Sequence, residues 1–138
     1  MIEKDFSDYR DTIVNQCALS NTDGEMAFDM RGTQSSRILT SENGESKHNF
    51  VKTAKLDSCI NEPVSFIKMD IEGEEYNALT GARGLITKHR PKLAISVYHN
   101  DDDLTKIPLL IHEMVPEYRF YLRHHTPFHV DTVLYAKL

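Results

Sequence analysis

Val64-Ser65-Phe66-Ile67-Lys68-Met69-Asp70-Ile71, followed at once by Glu72-Gly73-Glu74-Glu75, is the stretch that decides the fold. A short apolar run of this kind is what a strand buried on both faces requires. Carboxylates directly after it suit the positive end of a helix that starts near Glu74. That helix carries Tyr76, Leu79, Ala82 and Ile86 at helical spacing, Lys88-His89-Arg90 complement its C-terminal dipole, and Pro91 ends it. Leu93 to Tyr98 repeats the buried-strand pattern and closes on His99-Asn100 and Asp101-Asp102-Asp103. Asp103 caps a second helix with Leu104, Ile107, Leu110, Ile111 and Met114 among its apolar positions. Pro108 forbids a perfect helix there and places the first turn beside itself, and Pro116 marks the end. Tyr118 to Leu122 and Val130 to Ala136 finish the chain as two strands. Strands separated by helices pair in parallel through right-handed crossovers, and the last two form an antiparallel hairpin. The class is α/β.

Upstream the texture changes to short strands and turns. Thr12 to Leu19 is apolar and partly β-branched, and it stops at the turn formers Ser20-Asn21-Thr22-Asp23-Gly24. Glu25 to Met30 alternates like a half-exposed strand, and Arg31 to Asn49 is polar enough to read as a long loop. Phe50 to Leu56 is another extended segment, and Asp57-Ser58 caps one helical turn before Glu62-Pro63.

With 138 residues, 40% hydrophobic and 27% charged, residues 1–138 form a single ordinary globular domain. Sixteen basic residues against 21 acidic ones give a net charge of −5, which does not attract nucleic acid or an anionic membrane. No window supplies the apolar length of a membrane span, and the first residues carry no signal peptide. Cys17 and Cys59 read as reduced, packed thiols, as expected of a cytoplasmic protein.

Ligands of open α/β sheets bind outside the carboxyl ends of the parallel strands. The strand at 64–71 brings Asp70 and Glu72 to that edge, the strand at 93–98 brings His99, and the strand at 118–122 brings Arg123, His124 and His125. Two carboxylates and up to three imidazoles in one cleft suit general acid–base chemistry or a metal. Each also has a plainer reading. Asp70 suits a cap, Glu72 and Glu74 suit the helix dipole, Glu75 reads as a surface residue, and His99 serves as a hydrogen-bonded strand end. Adjacent strand residues face opposite sides, so one of His124 and His125 at most reaches the cleft. The triple aspartate lacks the spaced ligands and glycine of a calcium loop and reads as a solvated turn plus cap. His48, His89 and His112 read as solvated. There is no glycine-rich phosphate loop, no Gly-x-Ser-x-Gly elbow and no Cys-x-x-Cys pair.

Phe66-Ile67-Lys68-Met69-Asp70-Ile71-Glu72-Gly73-Glu74-Glu75 resembles the signature of the FkbM family of S-adenosylmethionine-dependent methyltransferases, roughly Ile-Lys-[apolar]-Asp-[apolar]-Glu-Gly-x-Glu. Ala78-Leu79-x-Gly81-Ala82, Pro91 to His99 with Asp102-Asp103-Leu104, Tyr118 to His124 and Thr132 to Ala136 are similar to later parts of the same family. Asn15 to Ser20 with Asp23-Gly24-Glu25 looks like its third strand and turn. The family begins its domain with a strand and a glycine-containing loop for the donor's methionine end. A second strand with an acidic ribose ligand follows. The sequence shows neither, and Ile2 to Tyr9 resembles the end of the preceding helix. The resemblance thus implies the C-terminal part of a class I methyltransferase domain, a truncated Rossmann-like sheet of parallel strands with a C-terminal antiparallel hairpin.

By that resemblance S-adenosylmethionine is the cofactor, Asp70, Glu72 and His99 are the catalytic candidates, and Ala18, Leu19 and Asp70 face the cofactor; no metal is assigned. The implied reaction is O-methylation of a hydroxyl such as a sugar's, with a small-molecule or glycan acceptor. With its donor loop lacking, the chain alone is expected to be inactive and to bind the donor weakly or not at all. Two alternatives stand beside it: a metal-dependent hydrolase using Asp70, Glu72, His99 and His124, and a non-catalytic truncated homologue. The strand at 65–70 is expected to be interior in the family sheet. Without its first-strand neighbour it invites either self-association or cover by a rearranged N-terminal third, with Phe50 to Leu56 the most available substitute.

Overall fold

The computed structural model describes residues 11–29, 37–38, 49–128 and 130–138. Ile2 to Tyr9 and most of the 31–49 loop lie outside these. The described residues form a mixed α/β structure with two four-stranded sheets. The first has the order β1-β4-β2-β3, with β1 at Ala18–Leu19, β2 at Gly24–Asp29, β3 at Arg37–Ile38 and β4 at Asn49–Ala54. The second has the order β5-β6-β8-β7, with β5 at Phe66–Met69, β6 at Lys92–Ser96, β7 at Arg119–His124 and β8 at Thr132–Lys137.

In the second sheet β5 and β6 run parallel, in the register Ile67↔Leu93 and Met69↔Ile95. The expected hairpin forms between β7 and β8, but β8 inserts antiparallel between β6 and β7. Four helices accompany the sheets: α1 at Leu56–Cys59, α2 at Glu75–Thr80, α3 at Arg83–His89 and α4 at Asp103–Met114. Leu79, Ala82, Ile86, Ile107 and Ile111 pack with Met69, Leu93, Ile95 and Leu134 in one core.

Several expectations need correction. The strand at 64–71 is shorter and is buried on one face. Ile67 and Met69 face the core while Phe66 stays 56% exposed, because β5 ends the sheet. Of Thr12 to Leu19, only Ala18–Leu19 is strand; the Cys17 amide donates to the Asn15 carbonyl, a tight turn that breaks the extension. The segment 49–54 is a strand, yet it pairs with β1 and β2 and leaves the β5 edge to others. Residues 37–38 within the expected loop form a short strand against β2.

The single helix expected from 74 to 90 is two helices, broken at Gly81-Ala82. A side chain at Gly81 would lie 2.2 Å from the Ser20 carbonyl oxygen, so this position must be glycine for the N-terminal segment to pass. The Gly81 carbonyl accepts the Asp57 amide, and the Asp57 carboxylate accepts the amides of Gly84 and Leu85 at 2.9 and 2.8 Å. Asp57 therefore caps α3 rather than its own turn. Pro108 sits inside α4, not at its first turn. The carbonyl that its missing N–H would have met belongs to Leu104, a half-exposed residue. Cys59 is an exposed free thiol rather than a packed one, and Cys17 is half-buried.

Tyr118 anchors the start of β7 by donating its hydroxyl to the Pro91 carbonyl. Burial pushes its phenol up to about 12. An unfolded tyrosine ionises near ~10, so the unfolded chain loses this proton first as pH rises. The stabilisation is complete below that value and is lost as pH climbs through about 12. Urea unfolding between these limits should show a falling free energy, by up to about 2 kcal/mol for this group. Tyr118→Phe should flatten the slope; an unchanged slope would contradict the assignment.

Candidate active site

The turn after β5 is shaped by two residues with left-handed backbones, Glu72 at φ 58° and Gly73 at φ 101°. A glutamate is costly there, and the turn is held by what it encloses. That is the Glu75 carboxylate, which accepts the amides of Ile71 at 2.8 Å and Gly73 at 3.0 Å. Glu75 is completely buried.

The turn after β6 carries the opposing groups. Asn100 donates from its backbone to the buried Asp103 carboxylate at 2.9 Å and from its side chain to the Gly73 carbonyl at 3.2 Å. The two turns are thereby locked together. His99 projects between them with its side chain only 6% exposed. Its Nε2 lies 3.6 Å from Asp70 Oδ1 and 3.8 Å from Glu72 Oε2, and its Nδ1 lies 3.0 Å from Glu75 Oε1. The last contact is close but misaligned, so Nδ1 is buried without a hydrogen-bond partner. Tyr98 stacks on the imidazole with ring centroids 4.1 Å apart and donates its hydroxyl to Asp70 Oδ1 at 3.1 Å. Burial first, and then the Asp70 carboxylate, push the Tyr98 phenol up to about 12, so it remains a donor throughout the neutral range.

Asp70, Glu72 and His99 thus meet at the carboxyl ends of β5 and β6. Glu75 belongs with them and is no surface residue. Its position was readable: residues 75, 79, 82 and 86 share one helical face, and Glu75 closes the Glu-Gly-x-Glu pattern. Asp103, expected to cap the following helix, is instead the first residue of α4 with Asp102 at the cap position, and it is likewise buried.

The β7 residues do not join the cluster. With β8 inserted, three strand spacings separate β5 from β7, about 14 Å. His124 Nδ1 instead meets Thr132 Oγ1 at 2.8 Å, His125 Nε2 meets the Tyr135 hydroxyl at 3.0 Å, and Arg123 donates to the Leu122 carbonyl. The four-residue hydrolase set including His124 is therefore not assembled.

Leu19 sits away from the cluster, on β1 of the first sheet. With Leu56, Ile60, Phe66, Ile67 and Met69 it lines a mainly apolar cavity of about 220 Å³ against β5. Ala18 does not line that cavity.

The family model of the methyltransferase FkbM domain matches residues 4–126. The chain belongs to the FkbM methyltransferase family. A solved relative agrees with this: methyltransferase FkbM from Methylobacillus flagellatus KT is 32% identical and superposes with a TM-score of 0.75. The match covers 98% of this chain and 32% of that one, so the chain spans about a third of its FkbM relative. No curated protein matches the sequence. Among the described residues, no helix is long and apolar enough to cross a membrane.

Proposed function

We propose that this FkbM-family chain carries the acceptor side of an S-adenosylmethionine-dependent O-methyltransferase, in a sheet that is part of a Rossmann-like one. The observation that carries the reading is the meeting of Asp70 and His99, 3.6 Å apart, at the carboxyl ends of two parallel strands. The donor supplies a methyl group on a positively charged sulfur. Asp70 and Glu72 provide negative charge for that sulfonium, and the apolar cavity beside Leu19 offers a wall for an adenine ring. The walls present thus fit part of the donor, and the fit is one-sided enough that binding is weak.

The acceptor is a hydroxyl on a sugar or similar small molecule. Asp70 Oδ1 and His99 Nε2 would orient its oxygen, and one of the two would take its proton; the donor, when bound, would supply the methyl group to that oxygen and keep the electrons of the broken carbon–sulfur bond on sulfur. Tyr98 fixes the Asp70 carboxylate and packs against the imidazole, so positioning does much of the work. Millimolar donor offsets that weak binding, so slow turnover is proposed in place of the inactivity expected from the sequence. The test supplies methyl-labelled donor at that concentration with a panel of sugar hydroxyl acceptors. Label in a base-stable ether supports the reading; label only in esters, or none, counts against it.

The β5 edge motivates a further proposal, association with a second copy of the chain. Among the described residues β5 has one partner, and its Phe66 is 56% exposed. Sedimentation velocity should show dimers at tens of micromolar. A monomer at that concentration would refute pairing through this edge.

A further inference from the structure

We infer that Asp70, Glu75 and His99 form a binding site for a divalent first-row transition cation such as Mn²⁺ or Zn²⁺. Each offers one ligand atom, and the three atoms lie within 4.8 Å of one another. Acidic clusters are common without metals; what sets this one apart is the histidine. Its side chain is only 6% exposed, and Nδ1 has no hydrogen-bond partner although Glu75 Oε1 lies 3.0 Å away. A buried donor or acceptor left unpaired costs about 1–3 kcal/mol. Two atoms at this separation that do not bond each other are arranged like neighbouring ligands of one ion. Bonds of about 2.1 Å set adjacent ligands roughly 3.0 Å apart when they meet at a right angle.

The ligands are already held. Two backbone amides fix Glu75 and leave lone pairs on its oxygens, and the Tyr98 hydroxyl fixes Asp70. Charge points the same way. Asp70, Glu72 and Glu75 surround a single imidazole, and Lys106 nearby in sequence is engaged by Asp102 and Asp103. A neutral imidazole with a divalent cation relieves three mutually repelling carboxylates. Mixed nitrogen and oxygen ligands favour manganese through zinc over magnesium or calcium. Asp70 is 35% exposed and Glu72 44%, so the cluster opens towards solvent on their side and an acceptor oxygen has access to the ion. That last use, polarising the hydroxyl, rests on the methyl-transfer reading, whereas the binding itself does not.

Calorimetric titration of the chain with MnCl₂, ZnCl₂ and MgCl₂ tests the site without donor or acceptor. The expected result is one ion per chain, with Mn²⁺ or Zn²⁺ bound at least ten times more tightly than Mg²⁺. Asp70→Asn should weaken binding at least tenfold, and His99→Gln should abolish it. His124→Asn and His125→Asn should leave it unchanged. Asp70 is exposed enough for its variant to fold, which circular dichroism verifies, so the test survives if His99→Gln does not fold. Binding no tighter than millimolar, binding unaffected by Asp70→Asn, or binding lost in the His124 or His125 variants overturns the site. Any of these leaves the methyl-transfer reading standing, because that is decided by label transfer.

Discussion

Glu75→Ala should lower the unfolding free energy by about 3–5 kcal/mol, because two backbone amides lose their acceptor at about 1–3 kcal/mol each and a buried side chain leaves a cavity. The substitution leaves the amides of Ile71 and Gly73 unpaired and frees a turn that holds Glu72 in a left-handed conformation. For a domain of this size the loss corresponds to a melting temperature roughly 10–20 °C lower. Glu75→Gln retains one acceptor but points an amide donor at a backbone donor, and should cost about 1–3 kcal/mol. Glu113→Ala removes only an exposed ion pair with Arg83 and should stay within about 0.5 kcal/mol. Urea denaturation of the three variants measures the order. A Glu75→Ala protein as stable as Glu113→Ala would mean that the carboxylate does not organise the turn.

Asp70→Asn is expected to act on rate instead. Asp70 is partly exposed and lies at the end of β5, so its replacement costs little stability. An asparagine keeps the shape and can still accept from Tyr98, but it cannot take a proton or carry charge towards the donor's sulfonium. Loss of a positioned base typically slows a reaction about 10²–10⁴-fold. The labelled-methyl assay should show that loss in turnover more than in donor affinity. A change smaller than about threefold at saturating acceptor would remove Asp70 from the chemistry.

Which parts of this were legible in the sequence follows from what each residue interacts with. The β5, β6 and α4 segments are defined by local periodicity, and they were readable within a residue or two. The hairpin was readable as well. The insertion of β8 between β6 and β7 was not, because strand order depends on pairings between residues such as Ile95 and Leu134 that leave no local mark. That one long-range fact separates His124 and His125 from the cluster. The need for glycine at 81 was hidden for the same reason, since it comes from the Ser20 carbonyl, 61 residues upstream. Asp70, Glu72 and His99 were legible because a strand's carboxyl end is a fixed address in a parallel pair. Glu75 was misread through its chemistry. A carboxylate in the first turn of a helix usually faces water, and here the amides of the preceding turn fold over it instead.

The proposed reaction brings methyl donor, acceptor and base together at the carboxyl ends of β5 and β6. Two-dimensional amide NMR of the isotopically labelled chain, titrated with S-adenosylmethionine to millimolar concentration, reads that placement residue by residue. Saturable shifts should gather at Leu19, at Asp70 to Gly73 and at Tyr98 to Asn100, and they should weaken in Asp70→Asn. Shifts centred on the β7–β8 hairpin, or no saturable shift at all, would contradict it.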